Sequence, residues 1–384
     1  MASDAAALSL DARSPCGRWR VDFGRDVHWV LGLPFDALTL DATVETVQRA
    51  ARHRQRCVLV TPNINFLVMA GRDPAFRADV LASDLSLADG APVVAVARWL
   101  GVPLTERVAG SDLFERLRAS ALPALSVYFF GGPEGVAERA SQVLGASATG
   151  LRGVGGHSPG FGSIAAMSDP STQARINAPA PDFVVVALGA KKGQAWIVAN
   201  EQALDAPLLS HLGAVVNFVV GDVQRAPVWA RRLGLEWLWR IFGEPELWRR
   251  YAGDALALAG LIYRHALPWW WQTQIIARAF PARRAPQLEV ARVGEELKLT
   301  MGGDWVMALS QPLRQALAEA ARHRGPVTLD LSACRQVDLG VIALWALLHA
   351  YRKRCGLALD FTGAQPALRK RLRWAAADHV LSSP

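Results

Sequence analysis

A short polar stretch in the first half of the chain carries the side chains best suited to chemistry. Residues 87–113 read LADGAPVVAVARWLGVPLTERVAGSDL, which places Asp89, Arg107 and Asp112 close together. A carboxylate can take a proton from a hydroxyl group, and a guanidinium can bind a phosphate through two hydrogen bonds. The alternative is structural, because Asp-Gly is a common turn dipeptide and Arg107 with Asp112 would make an ordinary surface pair.

The elements that must position these residues alternate between strands and helices from residue 58 to about residue 220. The runs CVLVTPN, SVYFFGG and DFVVVALGA are β-branched or aromatic, and each ends in a turn. Between them, DPAFRADVLASD, SDLFERLRASAL and GVAERASQVLG repeat apolar residues at helical spacing. This alternation predicts a parallel sheet covered on both faces, whose ligands bind at the carboxyl ends of the strands.

Composition and motifs argue against several other classes of protein. The 384 residues are 51% hydrophobic and carry a net charge of +8, which predicts two or three globular units. The sequence has no Asp-x-Asp, no GxGxxG, no P-loop motif and no Cys-x-x-Cys pair. We therefore expect no metal, no cofactor and no nucleic-acid partner. The N-terminus lacks a signal-peptide pattern and no long apolar run is present, so we expect a cytoplasmic chain.

Tryptophan and arginine are concentrated after residue 221, most conspicuously in the tripeptide Trp269-Trp270-Trp271. Three consecutive indoles cannot all face inward on one helix, and indoles favour the membrane–water interface. One interpretation is an amphipathic element that lies in the membrane surface. The other is that these tryptophans are core residues.

Taken together, these blocks resemble the WecG/TagA/CpsF family of bacterial glycosyltransferases. They comprise the stretch from TPN to SDL, then YFFGGPEGVAERA, PDFVVVALGAKKGQAWI and GDVQRAPVWARRLGLEWLWRIFGEPELWRRY. The resemblance implies a Rossmann-like parallel-sheet domain with a helical C-terminal appendage. It also implies an inverting, metal-independent transfer of a hexosyl or N-acetylhexosaminyl group in surface polysaccharide synthesis. The donor would be a UDP-sugar, and the acceptor would be a polyprenyl-diphosphate-linked sugar at the inner membrane surface.

The resemblance assigns roles to individual residues. Asp89 matches the catalytic base, and Thr61 lines the same cleft. The expected donor contacts are Asn63, Arg107, Asp112, Gln194 and Asn217. Without a metal, appendage arginines would stabilise the diphosphate, although a solvated basic helix face is the alternative for each of them. The expected diphosphate-binding residues are Arg225, Arg240, Arg249 and Arg250.

Two positions depart from the family pattern. The family usually has a glutamine where this chain has Gly193, with Gln194 one place later, and an acidic residue where it has Asn217. Neither change removes the proposed base. Both favour a second interpretation, a catalytically degenerate scaffold whose C-terminal module binds a partner of the assembly machinery.

The last hundred residues resemble a STAS domain in the stretch VTLDLSACRQVDLGVIALWALLHAYRKRCGLALDFTGAQPALRKRL. That family usually has Asp-Ser-x-Gly, and here Asp338-Leu339-Gly340 lacks the serine, so no phosphoswitch is expected. The resemblance implies a small α/β module for protein binding or scaffolding. The expected organisation is an N-terminal extension (1–24), a transferase domain (25–252), a Trp- and Arg-rich membrane-proximal helix with a linker (253–287), and a STAS-like domain (288–384).

Overall fold

A six-stranded parallel sheet forms the centre of the first half of the protein. The computed structural model describes residues 19–120, 123–146, 149–221, 226–227, 238–239, 241, 246–276, 284–306 and 310–381. The strand order is β4-β3-β8-β7-β5-β6, and every neighbouring pair is parallel. The predicted α/β fold with a Rossmann-like parallel sheet is confirmed.

The elements of this half are numbered along the chain. The strands are β1 (Val27–Val30), β2 (Leu33–Asp36), β3 (Cys57–Val60), β4 (Leu85–Ser86), β5 (Leu125–Gly131), β6 (Leu151–His157), β7 (Phe183–Ala187) and β8 (Leu208–His211). The helices are α1 (Leu40–Arg52), α2 (Ile64–Arg72), α3 (Pro74–Leu81), α4 (Ala91–Trp99), α5 (Gly110–Arg118), α6 (Val136–Gly145), α7 (Pro170–Asn177), α8 (Ala190–Asn200) and α9 (Gly213–Val220).

Both faces of the sheet are buried, as expected for parallel strands. Alternate residues of β5 enter different apolar clusters, because successive side chains of a strand point to opposite faces. Val127 and Phe129 belong to the cluster that includes residues of α1, α5 and α6. Tyr128 and Phe130 belong to the cluster that includes Trp196 of α8. The unbroken apolar runs in the sequence reflect this double burial.

The C-terminal unit is a small mixed sheet with helices, which confirms the expected STAS-like α/β domain. Its strand order is β12-β10-β11-β13, and β9 pairs antiparallel with β10. Its elements are β9 (Gln287–Val293), β10 (Glu296–Trp305), α12 (Gln311–Arg322), β11 (Val327–Asp330), β12 (Cys334–Val337), α13 (Leu339–Arg354), β13 (Leu359–Thr362) and α14 (Pro366–Trp374).

A continuous helix over residues 247–276, here called the long helix, connects the two halves. It comprises α10 (Leu247–Leu261), a π-helical turn, α11 (Leu267–Trp270) and a second π-helical stretch. Pro268 has no N–H group to donate, and π-turns flank it on both sides. The long helix runs through residue 252, the expected domain boundary. Within the described ranges, no helix is both long and apolar enough to cross a membrane.

Candidate active site

The carboxyl ends of β3 and β4 bring two predicted site segments together. The two strands pair in parallel with Val60 opposite Ser86. Beyond them, the N–H of Asp89 donates to the carbonyl of Pro62 at 3.0 Å. Asp89 is half-buried, and Gly90 follows it with φ +122°, a conformation that favours glycine. The Asp-Gly turn therefore holds Asp89 beside residues 61–63, at what we call the carboxyl edge (residues 61–63, 87–89 and 211–213).

Thr61 lies where three segments meet at this edge. A Cβ placed on Gly110, the first residue of α5, would lie 3.3 Å from Thr61 Oγ1 and would overlap Leu212, which follows β8. The loop before α5 is tied to the same edge, because the N–H of Val108 donates to Ala88 O at 2.9 Å. The small residue at position 110 thus allows α5 to approach Thr61.

Arg107, in the loop before α5, forms an ion pair with Asp112 in the first turn of α5. Arg107 Nη2 lies 2.5 Å from Asp112 Oδ2, and each side chain is 17% exposed. Asp112 is in the first turn of α5, where the helix dipole favours a carboxylate. The pair therefore gives Arg107 a fixed direction while leaving part of it accessible to a ligand.

Asn63 and Asn217 lie on helices that follow neighbouring strands. Asn63 is the N-cap of α2, and its side-chain oxygen accepts a hydrogen bond from Phe66 N at 3.3 Å. Asn217 is half-buried in α9. The capping bond accounts locally for the asparagine at position 63, and the expected donor contacts of both residues remain predictions.

Gln194 packs α8 against α3. It is fully buried, and its amide nitrogen donates to Asp79 O at 3.2 Å and to Ser83 Oγ at 3.0 Å. Both partners belong to α3 or follow it directly, so the amide joins α8 to α3. The amide nitrogen is thus used in a packing contact, and the expected contact between Gln194 and the donor nucleotide stays a prediction.

The sequence analysis missed His211, the last residue of β8. A Cβ on Gly193 would overlap the ring at Cδ2, and one on Gly213 would lie 3.3 Å from Nε2. Nε2 is shielded from solvent and has no hydrogen-bond partner among the described residues. Burial lowers the pKa of His211 from 6.5 to about 4, so the ring is neutral at neutral pH. The sequence feature that could have indicated this contact is Gly193, since a missing side chain in a helix leaves space for a neighbour.

His211 makes an acid-sensitive contribution to stability. At pH 5 the unfolded chain protonates a histidine that the folded chain keeps neutral, so the free energy of unfolding falls as pH drops from about 7 toward 4. In urea titrations, the free energy of unfolding should fall by about 1–2 kcal/mol less between pH 7 and pH 5 in His211→Gln than in the wild type. An unchanged pH dependence would mean that the ring is hydrated in the folded protein.

Two of the four predicted diphosphate-binding arginines lie in the part of the chain that the structure describes. Arg225 and Arg240 lie outside the described residues. Arg249 and Arg250 are exposed on the first turn of α10. Asp254 interacts electrostatically with both Arg250 and Arg72, and Arg72 is the last residue of α2. This interaction relates α10 to the last residue of α2, and the predicted role of Arg249 and Arg250 stays a prediction.

The three consecutive tryptophans have three different environments. Trp269 is 3% exposed and belongs to the main apolar cluster. Trp270 stacks on Trp99 with ring centroids 5.7 Å apart. Trp271 is 55% exposed. The prediction that all three face a membrane is therefore corrected for Trp269, whose indole is buried in the protein. Trp270 is half-buried, and the membrane contact stays a prediction for it and for Trp271.

Comparison with known proteins agrees with this architecture. Residues 28–271 match the model of the glycosyl transferase WecG/TagA/CpsF family, and residues 288–382 match that of the Mlab, STAS domain. A protein of Bacillus spizizenii named N-acetylglucosaminyldiphosphoundecaprenol N-acetyl-beta-D-mannosaminyltransferase is 31% identical over 195 residues, which is 50% of this chain and 73% of the relative. A Staphylococcus aureus (strain MW2) protein of the same name is 25% identical over 224 residues, 58% of this chain and 85% of the relative.

The family match covers the whole parallel sheet and continues into the long helix. The carboxyl edge, with Thr61, Asp89 and the Arg107–Asp112 pair, lies within it. The chain therefore belongs to the WecG/TagA/CpsF family of glycosyl transferases and carries a STAS domain after it.

Proposed function

We propose that the protein transfers a sugar from a UDP-sugar to a polyprenyl-diphosphate-linked acceptor with inversion at the anomeric carbon. The observation that carries this proposal is the meeting of Asp89 and Thr61 at the carboxyl edge of a family member's sheet. Relatives named as transferases that act on N-acetylglucosaminyldiphosphoundecaprenol support the acceptor class. The identity of the donor as a UDP-sugar is also part of the proposal.

In this mechanism, the Asp89 carboxylate takes the proton of the acceptor hydroxyl as its oxygen attacks the anomeric carbon. The bond between that carbon and the UDP oxygen breaks, and UDP leaves from the opposite face. Arg107, oriented by Asp112, stabilises the leaving diphosphate together with appendage arginines, for which we retain Arg225 and Arg240. Thr61 donates or accepts a hydrogen bond at the reacting end of the donor.

A direct assay tests this proposal. The purified chain is incubated with an N-acetylglucosaminyl-diphosphoprenol acceptor and, separately, UDP-N-acetylmannosamine, UDP-N-acetylglucosamine or UDP-glucose. Mass spectrometry of the lipid product should show one added sugar with one of these donors. Absence of transfer with every donor, in the presence of vesicles, would favour the scaffold interpretation instead.

The scaffold interpretation has specific support in Gly193 and Gln194. The position that usually carries glutamine holds no side chain, and the neighbouring amide is used to pack α8 on α3. A scaffold would bind a partner protein through its STAS domain and would transfer no sugar. We favour the enzyme because the carboxyl edge retains Asp89 and an oriented Arg107.

We expect turnover to survive an excess of EDTA. The sequence has no Asp-x-Asp motif to hold a bridging metal, and arginines would supply the positive charge for the diphosphate. In the described part of the chain, no three His, Cys, Asp or Glu side chains are grouped as metal ligands. Initial rates with and without EDTA test this expectation. Loss of turnover that magnesium or manganese restores would contradict the arginine mechanism.

We also propose that the exposed side of the long helix binds the membrane surface. Large apolar side chains recur there at intervals of four, seven and eight residues, which keeps them on one side of the helix. Leu256 is 75% exposed, Tyr263 73% and Trp271 55%. These three residues and three others form what we call the apolar stripe. Its members are Trp248, Leu256, Tyr263, Leu267, Trp271 and Ile275.

Replacing Leu256, Tyr263 and Trp271 together with serine should abolish most binding to anionic phospholipid vesicles. Apolar insertion is not screened by ions, so the wild-type chain should stay bound at high salt. We expect the triple variant to partition at least about a hundredfold less, because three insertions are lost and each is worth roughly 1–3 kcal/mol. Vesicle sedimentation measures this difference.

The matched control replaces Val290 and Val293 with serine. These apolar residues are 40% and 62% exposed, but they lie on β9 of the STAS domain. The control should bind vesicles as the wild type does. Equal sedimentation of the triple variant and the wild type would contradict a membrane role for the apolar stripe.

A further inference from the structure

The STAS domain is bonded to the transferase half of its own chain at several points. The indole N–H of Trp29 in β1 donates to Ala375 O, just after α14, at 2.9 Å. The guanidinium of Arg314 in α12 donates to the carbonyls of Phe23 and Arg25, the latter at 2.8 Å. Arg314 is itself only 3% exposed. These are buried contacts, unlike those of a module held only by a linker.

One apolar core runs through both halves. Residues of β1, β2, α2, α3 and α4 belong to the same buried cluster as residues of β10, α12, α13 and α14. Helix α13 packs against β1 as well as against its own sheet. Examples from the two sides are Phe35, Leu67 and Val80 with Leu344, Trp345 and Leu372. A continuous core of this kind makes the domains one cooperative body.

On one side, the long helix is held by α14 of the STAS domain. His265 Nδ1 lies 2.7 Å from Arg373 O, and a backbone carbonyl only accepts, so Nδ1 carries the hydrogen and donates. Ala266 and Trp269 are 1% and 3% exposed in the shared core. This contact falls within the π-helical segment just before Pro268.

On the other side, the long helix contacts helices that begin at the carboxyl edge. Trp270 stacks on Trp99, the last residue of α4, and α4 begins directly after Asp89 and Gly90. Helix α10 packs against α2, whose N-cap is Asn63. The long helix therefore lies between the STAS domain and the two helices that follow the candidate catalytic residues Thr61 and Asp89.

The long helix depends on such support because its own hydrogen-bond ladder is irregular. Pro268 cannot donate, and the turns on both sides are π-helical rather than α-helical. Prolines and π-bulges are the places where helices bend, so contacts with neighbours help to fix the direction of this helix. The apolar stripe has members on both sides of Pro268, so its shape depends on those contacts.

We propose that the STAS domain is an intramolecular brace that fixes the long helix, and thereby sets the position of the carboxyl edge relative to a lipid surface. His265 and Trp29 are its positioning residues. The partner of this STAS surface is the transferase domain of the same chain. With the carboxyl edge in this position, the protein can reach an acceptor that is embedded in the lipid. The inference therefore rests on the proposed function and deepens it.

The test compares His265→Ala with His323→Ala in the full chain. His323 Nε2 lies 2.8 Å from Glu295 O, so each variant loses one imidazole–carbonyl bond, but His323 bonds within the STAS domain. We expect His265→Ala to lower kcat/KM for a long-chain acceptor in vesicles about tenfold, chiefly through KM. Its turnover of a short, soluble acceptor should not change. His323→Ala should match the wild type with both acceptors.

A second readout does not depend on activity. Amide hydrogen exchange of residues 262–276, without vesicles, should be faster in His265→Ala than in the wild type or in His323→Ala. If His265→Ala does not fold, Trp29→Phe removes a different interdomain bond, the one to Ala375 O beside α14, while keeping an aromatic ring, and the same two results are expected.

Two outcomes would overturn the brace: unchanged exchange in residues 262–276, or equal losses on the short and long acceptors. Absence of transfer by the wild-type chain with both acceptors would overturn the proposed function instead. In that case, the hydrogen exchange still decides whether the STAS domain supports the long helix.

Discussion

Asp89→Asn should lower kcat by about 10²- to 10⁴-fold, the range that a general base contributes. The amide keeps the size of the carboxylate but cannot take the acceptor proton. The substitution also preserves the backbone bond from Asp89 N to Pro62 O, so the carboxyl edge should keep its shape. Binding of UDP should therefore change little, because loss of a base raises the barrier without removing ground-state contacts.

Single-turnover kinetics with a saturating UDP-sugar and a lipid-linked acceptor measure the effect, and calorimetry with UDP alone measures binding. Asp360→Asn is the matched control, because it is the same Asp-to-Asn substitution at an exposed position in β13 of the STAS domain. Near-normal turnover of Asp89→Asn would remove Asp89 from the mechanism. A parallel loss of UDP binding would assign Asp89 to donor binding.

The largest effect on stability is expected from Arg352→Met. Arg352 in α13 is fully buried, and its guanidinium donates five hydrogen bonds to four backbone carbonyls at 2.6–3.1 Å. Burial lowers its pKa to about 10, which leaves it charged at neutral pH. The accepting carbonyls belong to Ala320, His323, Gly325 and Ala358.

Methionine would fill much of the volume but would leave these carbonyls without their donor. We expect a loss of about 3–5 kcal/mol in the free energy of unfolding, because each unsatisfied buried carbonyl costs roughly 1–3 kcal/mol and some will be hydrated. The control is Lys353→Met at the exposed neighbouring residue, which should lower the free energy of unfolding only slightly. Urea titrations of both variants measure these losses. Equal free energies of unfolding for Arg352→Met and the wild type would mean that water replaces the guanidinium without cost.

The strand–helix order, the sheet, and the positions of Thr61 and Asp89 at its carboxyl edge were predictable from the sequence. Local apolar spacing favours a strand or a helix for each segment, and a short run such as CVLV that ends in a turn and lies between helices is typical of a doubly buried strand. The turn at Asp89-Gly90 then follows from β4 and α4, and its partner at Pro62 follows from the parallel pairing of β3 and β4. These features depend on neighbours in the chain or on one strand pair.

Only the tertiary structure decided where individual side chains face. The sequence treats Trp269, Trp270 and Trp271 alike, yet the shared core buries Trp269, Trp270 is half-buried and stacks on Trp99, and Trp271 is exposed.

The same holds for Gln194, which is drawn to α3, and for His211, which occupies the space that Gly193 leaves. Arg352 looks in sequence like part of a solvated basic helix end, but its carbonyl partners come from two other segments. The physical reason is the same in each case: burial is set by residues tens to hundreds of positions away, and local periodicity carries no information about them.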